Sequence, residues 1–176
     1  MNQDQNQDLQ DLRVLIVDDD QSYRHLMANM LRGMGITKTR MARNADEGRT
    51  EIAGAPLDYV LLDRTLEDGA GFVLLRYLRD PESTPAPHLP VIMTTDDRHK
   101  VHIIAAIKAG ADHILVKPIS PAELAATFRN LAARPPEKIE VRTYIGPCRR
   151  RLPEQLYDLY AGEDRRRESV AVAASG

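Results

Sequence analysis

Three consecutive aspartates, Asp18, Asp19 and Asp20, follow the apolar run Val14-Leu15-Ile16-Val17. Asp63 follows Tyr59-Val60-Leu61-Leu62 in the same way, Thr94 and Thr95 follow Val91-Ile92-Met93, and Lys117 follows Ile114-Leu115-Val116. Carboxylates gathered at one place repel, and they stay ionised only where a cation offsets their charge. Oxygen donors of this kind suit Mg²⁺, which keeps several waters and leaves room for a phosphate oxygen. A lysine and a hydroxyl beside them would hold the remaining phosphoryl oxygens, with one carboxylate as acceptor. The predicted chemistry is phosphoryl transfer.

That chemistry needs four apolar runs to end at the same edge of one sheet. Short, continuous apolar runs suit strands buried on both faces of a parallel sheet. A weaker fifth run spans Thr37–Ala42. Amphipathic stretches separate the runs. In the first, Tyr23, Leu26, Met27, Met30, Leu31 and Met34 fall on one helical face and Gly35 supplies a C-cap. Others cover roughly 44–54, 70–80, 98–109 and 121–133, the last opened by Ser120 as N-cap with Pro121 at the first helical position. Strand and helix repeated five times predict an α/β fold, a (βα)5 doubly wound parallel five-stranded sheet. Right-handed crossovers leave only a few strand orders. Ligands of such sheets bind outside the carboxyl ends of the strands, where the aspartates, threonines and lysine stand.

The chain has 176 residues, 24 basic and 26 acidic, so its net charge of −2 argues against a uniformly basic nucleic-acid binder. At 43 % hydrophobic and 28 % charged the composition is that of a soluble globular domain. No apolar run approaches the roughly 18 residues of a membrane span, so no membrane insertion is expected. The polar opening predicts no secretory signal. The single cysteine, Cys148, points to a reducing cytoplasm. Residues 1–11 read as a disordered lead-in, 12–134 as the sheet domain, and 135–176 as a largely irregular extension with a short helix over 154–160.

In order and spacing, Val17-Asp18-Asp19, Leu61-Leu62-Asp63, Pro90-Val-Ile-Met-Thr-Thr95 and Gly110-Ala-Asp with Val116-Lys117-Pro118 resemble the receiver domain of two-component response regulators. The resemblance covers roughly residues 12–133 and implies a flavodoxin-like, chemotaxis-type fold. It implies that Asp63 is the phosphoacceptor, that Thr95 is the switch hydroxyl and that Lys117 binds phosphate. Asp18, Asp19, Asp63 and the backbone carbonyl of Thr65 are the implied Mg²⁺ ligands, and Lys117-Pro118 the implied cis peptide. A histidine kinase or phosphotransfer protein would be the donor and a downstream protein the target, with no enzymatic activity beyond the protein's own phosphorylation and dephosphorylation. Three positions depart from the family pattern. Asp96 follows the switch threonine where Ala or Gly is usual, Ile114 replaces an aromatic residue, and Glu67 replaces a proline. An alternative is therefore a receiver-like adaptor that is not phosphorylated and is controlled through its tail. A phosphohydrolase is disfavoured, because Thr65 stands where its general acid would be an aspartate.

Only 5 of the 24 basic residues are lysine, and 7 of the 19 arginines lie in the extension. Tyr144-Ile-Gly-Pro-Cys-Arg-Arg-Arg151 and Tyr160-Ala-Gly-Glu-Asp-Arg-Arg-Arg167 repeat one pattern 16 residues apart. Guanidinium groups bind phosphates and guanine edges bidentately and stack on bases. The first copy resembles the arginine-rich extension of receiver proteins that bind cyclic di-GMP and dock on the flagellar motor. Tyr144, Arg149, Arg150, Arg151, Tyr160, Arg165, Arg166 and Arg167 are the implied nucleotide or anion site. A protein-docking segment and a solvated tail are the alternatives. Nucleic acid is poorly supported, since Glu154, Asp158, Glu163, Asp164 and Glu168 interleave with the arginines. His99 and His102 lack a partner at ligand spacing, so no metal is expected there, and Gly69-Ala70-Gly71 reads as a flexible loop.

Overall fold

A computed structural model describes residues 9–147. Five parallel strands, β1 (Arg13–Val17), β2 (Lys38–Ala42), β3 (Tyr59–Asp63), β4 (Val91–Thr95) and β5 (His113–Val116), form one sheet in the order β2-β1-β3-β4-β5. Five helices connect and follow them: α1 (Gln21–Gly33), α2 (Ala45–Gly54), α3 (Ala70–Arg79), α4 (Lys100–Ala109) and α5 (Pro121–Ala133). Alternate side chains of each strand serve opposite faces of the sheet. Val14 and Ile16 pack with Met27, Leu31, Leu124 and Phe128 beneath α1 and α5, where Phe128 meets Tyr59 edge to face. Leu15 and Val17 pack with Ile52, Leu74, Leu75, Leu78 and Ala106 beneath α2, α3 and α4. Apolar residues on both faces explain why β1, β3 and β4 read as continuous apolar runs rather than alternating ones.

Local signals place the helix ends. Gly35 adopts φ 90° just past α1, a left-handed conformation that glycine takes without steric cost. Ser120 accepts a hydrogen bond from Glu123 N and Pro121 opens α5. The Lys117-Pro118 peptide is cis.

Four details differ from the sequence reading. Leu26 is exposed, because α1 centres its apolar stripe on Met27 and Leu31. Leu9, assigned to the polar lead-in, is buried in the first core cluster. Gly69 is not part of a loose loop: it caps α3, and Gly71 lies within the first turn of that helix. The extension is not irregular throughout. Lys138–Val141 (β6) and Tyr144–Pro147 (β7) form an antiparallel hairpin.

The hairpin is seated on a buried ion pair. The Arg79 guanidinium donates to Asp112 Oδ2 at 2.6 Å, Gly110 O at 2.8 Å and Leu89 O at 3.0 Å. Both side chains are at most 1 % exposed. Gly110 and Gly146 each leave room for the Arg79 stem, since a Cβ at Gly146 would lie 2.5 Å from Arg79 Cδ. Burial pushes the Asp112 carboxyl upward, against the pull of Arg79.

Candidate functional site

Asp18 ends the buried run of β1, and Asp63 closes β3, one strand away in the sheet. Both are buried. Lys117, one residue past β5, joins them. Its Nζ donates to Asp18 Oδ2 at 2.9 Å and forms an ion pair with Asp63 Oδ1 at 2.8 Å. The second contact lacks hydrogen-bond geometry, so Asp63 Oδ1 is a buried acceptor without a hydrogen bond. Asp63 Oδ2 accepts from Thr65 Oγ1 at 2.7 Å.

The electrostatics follow from this packing. Burial pushes the Asp18 carboxyl upward, while the Lys117 hydrogen bond and charge pull it down. Burial alone would lower the Lys117 ammonium, but the close Asp63 and Asp18 carboxylates more than reverse it, so its pKa stands well above the ordinary lysine value. The Lys117 Nζ also lies 4.0 Å from the centre of the Tyr23 ring, a cation–π contact.

The three consecutive aspartates divide their labour. Asp18 faces the lysine, Asp19 is exposed at the rim, and Asp20 caps α1 by accepting from Ser22 N and Tyr23 N. Thr95, at the end of β4, is buried, and its Oγ1 accepts from Arg64 Nε at 2.8 Å and from Asp97 N at 3.1 Å. Asp96, Glu67 and Thr65 are exposed around this edge, and Ile114 is half-buried in β5.

The donor set fits Mg²⁺. Two buried carboxylates converge on one edge, one with an oxygen that accepts no hydrogen bond, while Asp19 stands at the rim and Thr65 follows the strand end. Among the described residues no three or more His, Cys, Asp or Glu side chains form a ready metal cage. Mg²⁺ does not require one, because it takes one or two carboxylates and fills its shell with water and phosphate oxygen.

The sequence reading brought Asp18, Asp63 and Lys117 together, and the structure places them in contact. It missed Arg64, whose adjacency to Asp63 was the only available signal, and it assigned Tyr23 to the core face without its lysine contact. Tyr144 is buried, and its hydroxyl donates to Pro147 O at 2.9 Å, so here the ring packs within the hairpin. Arg149, Arg150, Arg151, Tyr160, Arg165, Arg166 and Arg167, and the short helix expected over 154–160, lie outside the described residues.

Comparison with known proteins reaches the same region. The family model for the response regulator receiver domain matches residues 14–129. Chemotaxis protein CheY-3 of Vibrio cholerae is 34 % identical over 116 residues, covering 64 % of this chain and 85 % of that protein. Response regulator protein PilR of Pseudomonas aeruginosa is 38 % identical over 131 residues, covering 73 % of this chain but 28 % of its own length. Among solved structures, a putative response regulator from Chloroflexus aurantiacus superposes with a TM-score of 0.63 at 31 % identity, covering 70 % of this chain and 98 % of that one. A CheY-like receiver domain protein from Methanospirillum hungatei gives 0.58 at 29 %, covering 68 % and 91 %.

Proposed function

The chain belongs to the response regulator receiver family, and from that premise we propose that it accepts a phosphoryl group on Asp63 from a histidine kinase or phosphotransfer protein and signals by protein–protein interaction. Receiver domains are signalling proteins rather than classical enzymes; they interact with histidine kinases and downstream targets, and they generally bind Mg²⁺. The observation that carries the reading is the Lys117 ammonium bridging two buried carboxylates from adjacent strands.

In the proposed reaction a carboxylate oxygen of Asp63 attacks phosphorus. The P–N bond of the donor phosphohistidine breaks, and its electron pair returns to the imidazole nitrogen. Thr65 Oγ1 holds Asp63 Oδ2, which fixes the carboxylate plane. Lys117 offsets the added charge, and Thr95, once turned inward, donates a hydrogen bond from its hydroxyl to a phosphoryl oxygen. Asp18, Asp19, Asp63 and the Thr65 carbonyl would hold Mg²⁺, which when bound screens the phosphoryl oxygens from the carboxylates. Phosphate-affinity electrophoresis with a small acyl phosphate and Mg²⁺ tests the reading. A retarded band is expected for the wild type and not for Asp63→Asn. No retarded band from the wild type, with or without Mg²⁺, refutes it and favours an unphosphorylated adaptor.

For the extension, the repeated arginine triplets support cyclic di-GMP binding, and docking on the flagellar motor is the matching output. Calorimetric titration of cyclic di-GMP into the full chain and into a chain ending at Pro147 tests this. Heat from the full chain alone is expected, and equal heats refute the assignment.

A further inference from the structure

Arg64 follows Asp63 directly, yet its guanidinium turns to the neighbouring strand end. Nε donates to Thr95 Oγ1 at 2.8 Å, and Nη2 reaches Asp97 Oδ2 at 3.4 Å. The Arg64 side chain is 16 % exposed and that of Asp97 20 %, so the contacts are sheltered from solvent. Asp97 is itself anchored. Its carboxylate accepts from His99 N at 2.8 Å and contacts the Nδ1 atoms of His99 and His102 at the start of α4. Arg64, Asp97 and His99 line an open pocket of about 550 Å³ with Asp96 and Arg98.

The state of the Thr95 hydroxyl follows. Its oxygen accepts two N–H bonds, one charged and one neutral, both from the segment leading into α4 or from Arg64. The Asp63 oxygens are meanwhile engaged by Lys117 and Thr65. Asp97 N belongs to the segment that leads into α4, so a χ1 turn that brings Oγ1 to Asp63 would draw it off this donor and off the Arg64 guanidinium. Hydrogen bonds to charged groups are stronger than neutral ones, and breaking one that is shielded from water is correspondingly more costly.

We propose that Arg64 is a positioning residue that holds the Thr95 hydroxyl on the α4 side of the unphosphorylated site, so that a phosphoryl group on Asp63 must displace the Arg64–Thr95 hydrogen bond before Thr95 can take a phosphoryl oxygen. The role rests on the reading of Asp63 as acceptor. Arg64 therefore acts through Thr95 and restrains activation; it does not bind the phosphoryl group. Asp97 and its two histidines keep the guanidinium in place.

Two measurements on the full chain test this. In the first, beryllofluoride with Mg²⁺ serves as the phosphoryl mimic, titrated by NMR into wild type, Arg64→Ala and Arg64→Gln. Both variants are expected to bind about tenfold more tightly, the worth of one such hydrogen bond. The gain should vanish when each is combined with Thr95→Val, which lacks the restrained hydroxyl. Equal or weaker binding by both variants, or the same gain in the Thr95→Val background, overturns the proposal. In the second, the Thr95 side-chain couplings are read without any ligand. One dominant rotamer is expected in the wild type and rotamer averaging in both Arg64 variants, and an unchanged rotamer overturns the proposal. If the wild type itself ignores beryllofluoride, the acceptor reading of Asp63 fails, and the ligand-free couplings still decide what Arg64 does.

Discussion

Replacing Arg79 by methionine removes the cation from an ion pair that is almost wholly buried, with side chains 1 % and 0 % exposed. Five acceptors lose a partner together. The Asp112 carboxylate keeps one hydrogen bond, from the Val91 N–H at 2.7 Å, and the carbonyls of Gly110, Leu89, Pro87 and Leu78 lose the Arg79 donors. Breaking a buried pair from one side costs about 3–5 kcal/mol, because the remaining charge stays buried with only the Val91 N–H and the charge of Lys138 to offset it. Methionine nearly matches the aliphatic stem of arginine, so no large cavity adds to that figure. With a urea dependence of about 2 kcal/mol per molar, the midpoint should fall by roughly 1.5–2.5 M. Far-UV circular dichroism in urea measures this, beside Asp112→Leu and the double variant. The double variant should recover most of the loss, since two apolar groups leave no orphaned charge. A loss below about 1 kcal/mol for Arg79→Met, or a double variant no better than the single one, would refute the account of the ion pair.

Two further outcomes follow from the same geometry. A Cβ on Gly71 would stand 2.3 Å from Asp63 O and 2.9 Å from Arg64 O, both backbone atoms that cannot rotate away. Gly71→Ala should therefore cost about 1–3 kcal/mol by urea titration and should slow labelling of Asp63 by an acyl phosphate more than an equally destabilising change in α5. Asp58 accepts from Arg13 N, Nε and Nη2, and the Arg13 hydrogen bonds hold its carboxyl below the ordinary value against the opposing effect of burial. The stability this gives is present above the unfolded carboxyl value near 3.8 and is lost as pH falls through the lower folded value. Thermal melts from pH 5 to pH 2 should show a shallower acid loss for Asp58→Asn than for the wild type, and parallel curves would contradict the linkage.

The sheet was legible because buried parallel strands leave continuous apolar runs, and the site because its residues stand just past those runs. Asp18, Asp63 and Lys117 needed no knowledge of packing to be grouped, only the rule that strand ends share an edge. The Arg79–Asp112 pair was not legible. Its partners are 33 residues apart, and an arginine at a helix C-terminus is ordinarily a solvated residue favoured by the helix dipole. The Arg64–Thr95 bond was hidden for a similar reason, since a side chain's direction past a strand end depends on the loop it meets. The hairpin was missed because Ile139 and Val141, the alternating residues that mark β6, are exposed, so its only strong packing signal is the Tyr144 end.

The seat of the hairpin has a geometric consequence. Arg79, Gly110, Asp112 and Val91 lie where strands begin, whereas Asp63, Thr95 and Lys117 lie where strands finish. Strand β4 runs between the two ends, from Val91, whose amide bonds Asp112, to Thr95, whose hydroxyl bonds Arg64. Its five residues span roughly 16 Å at about 3.3 Å each. The hairpin that ends at Pro147 thus sits at the pole opposite the acceptor pocket. Perturbations so far apart, with no shared contacts, ordinarily add as independent free energies. A substitution in the hairpin seat and one in the acceptor pocket should then change stability additively, and a departure from additivity would mean that β4 connects the two ends as a rigid rod.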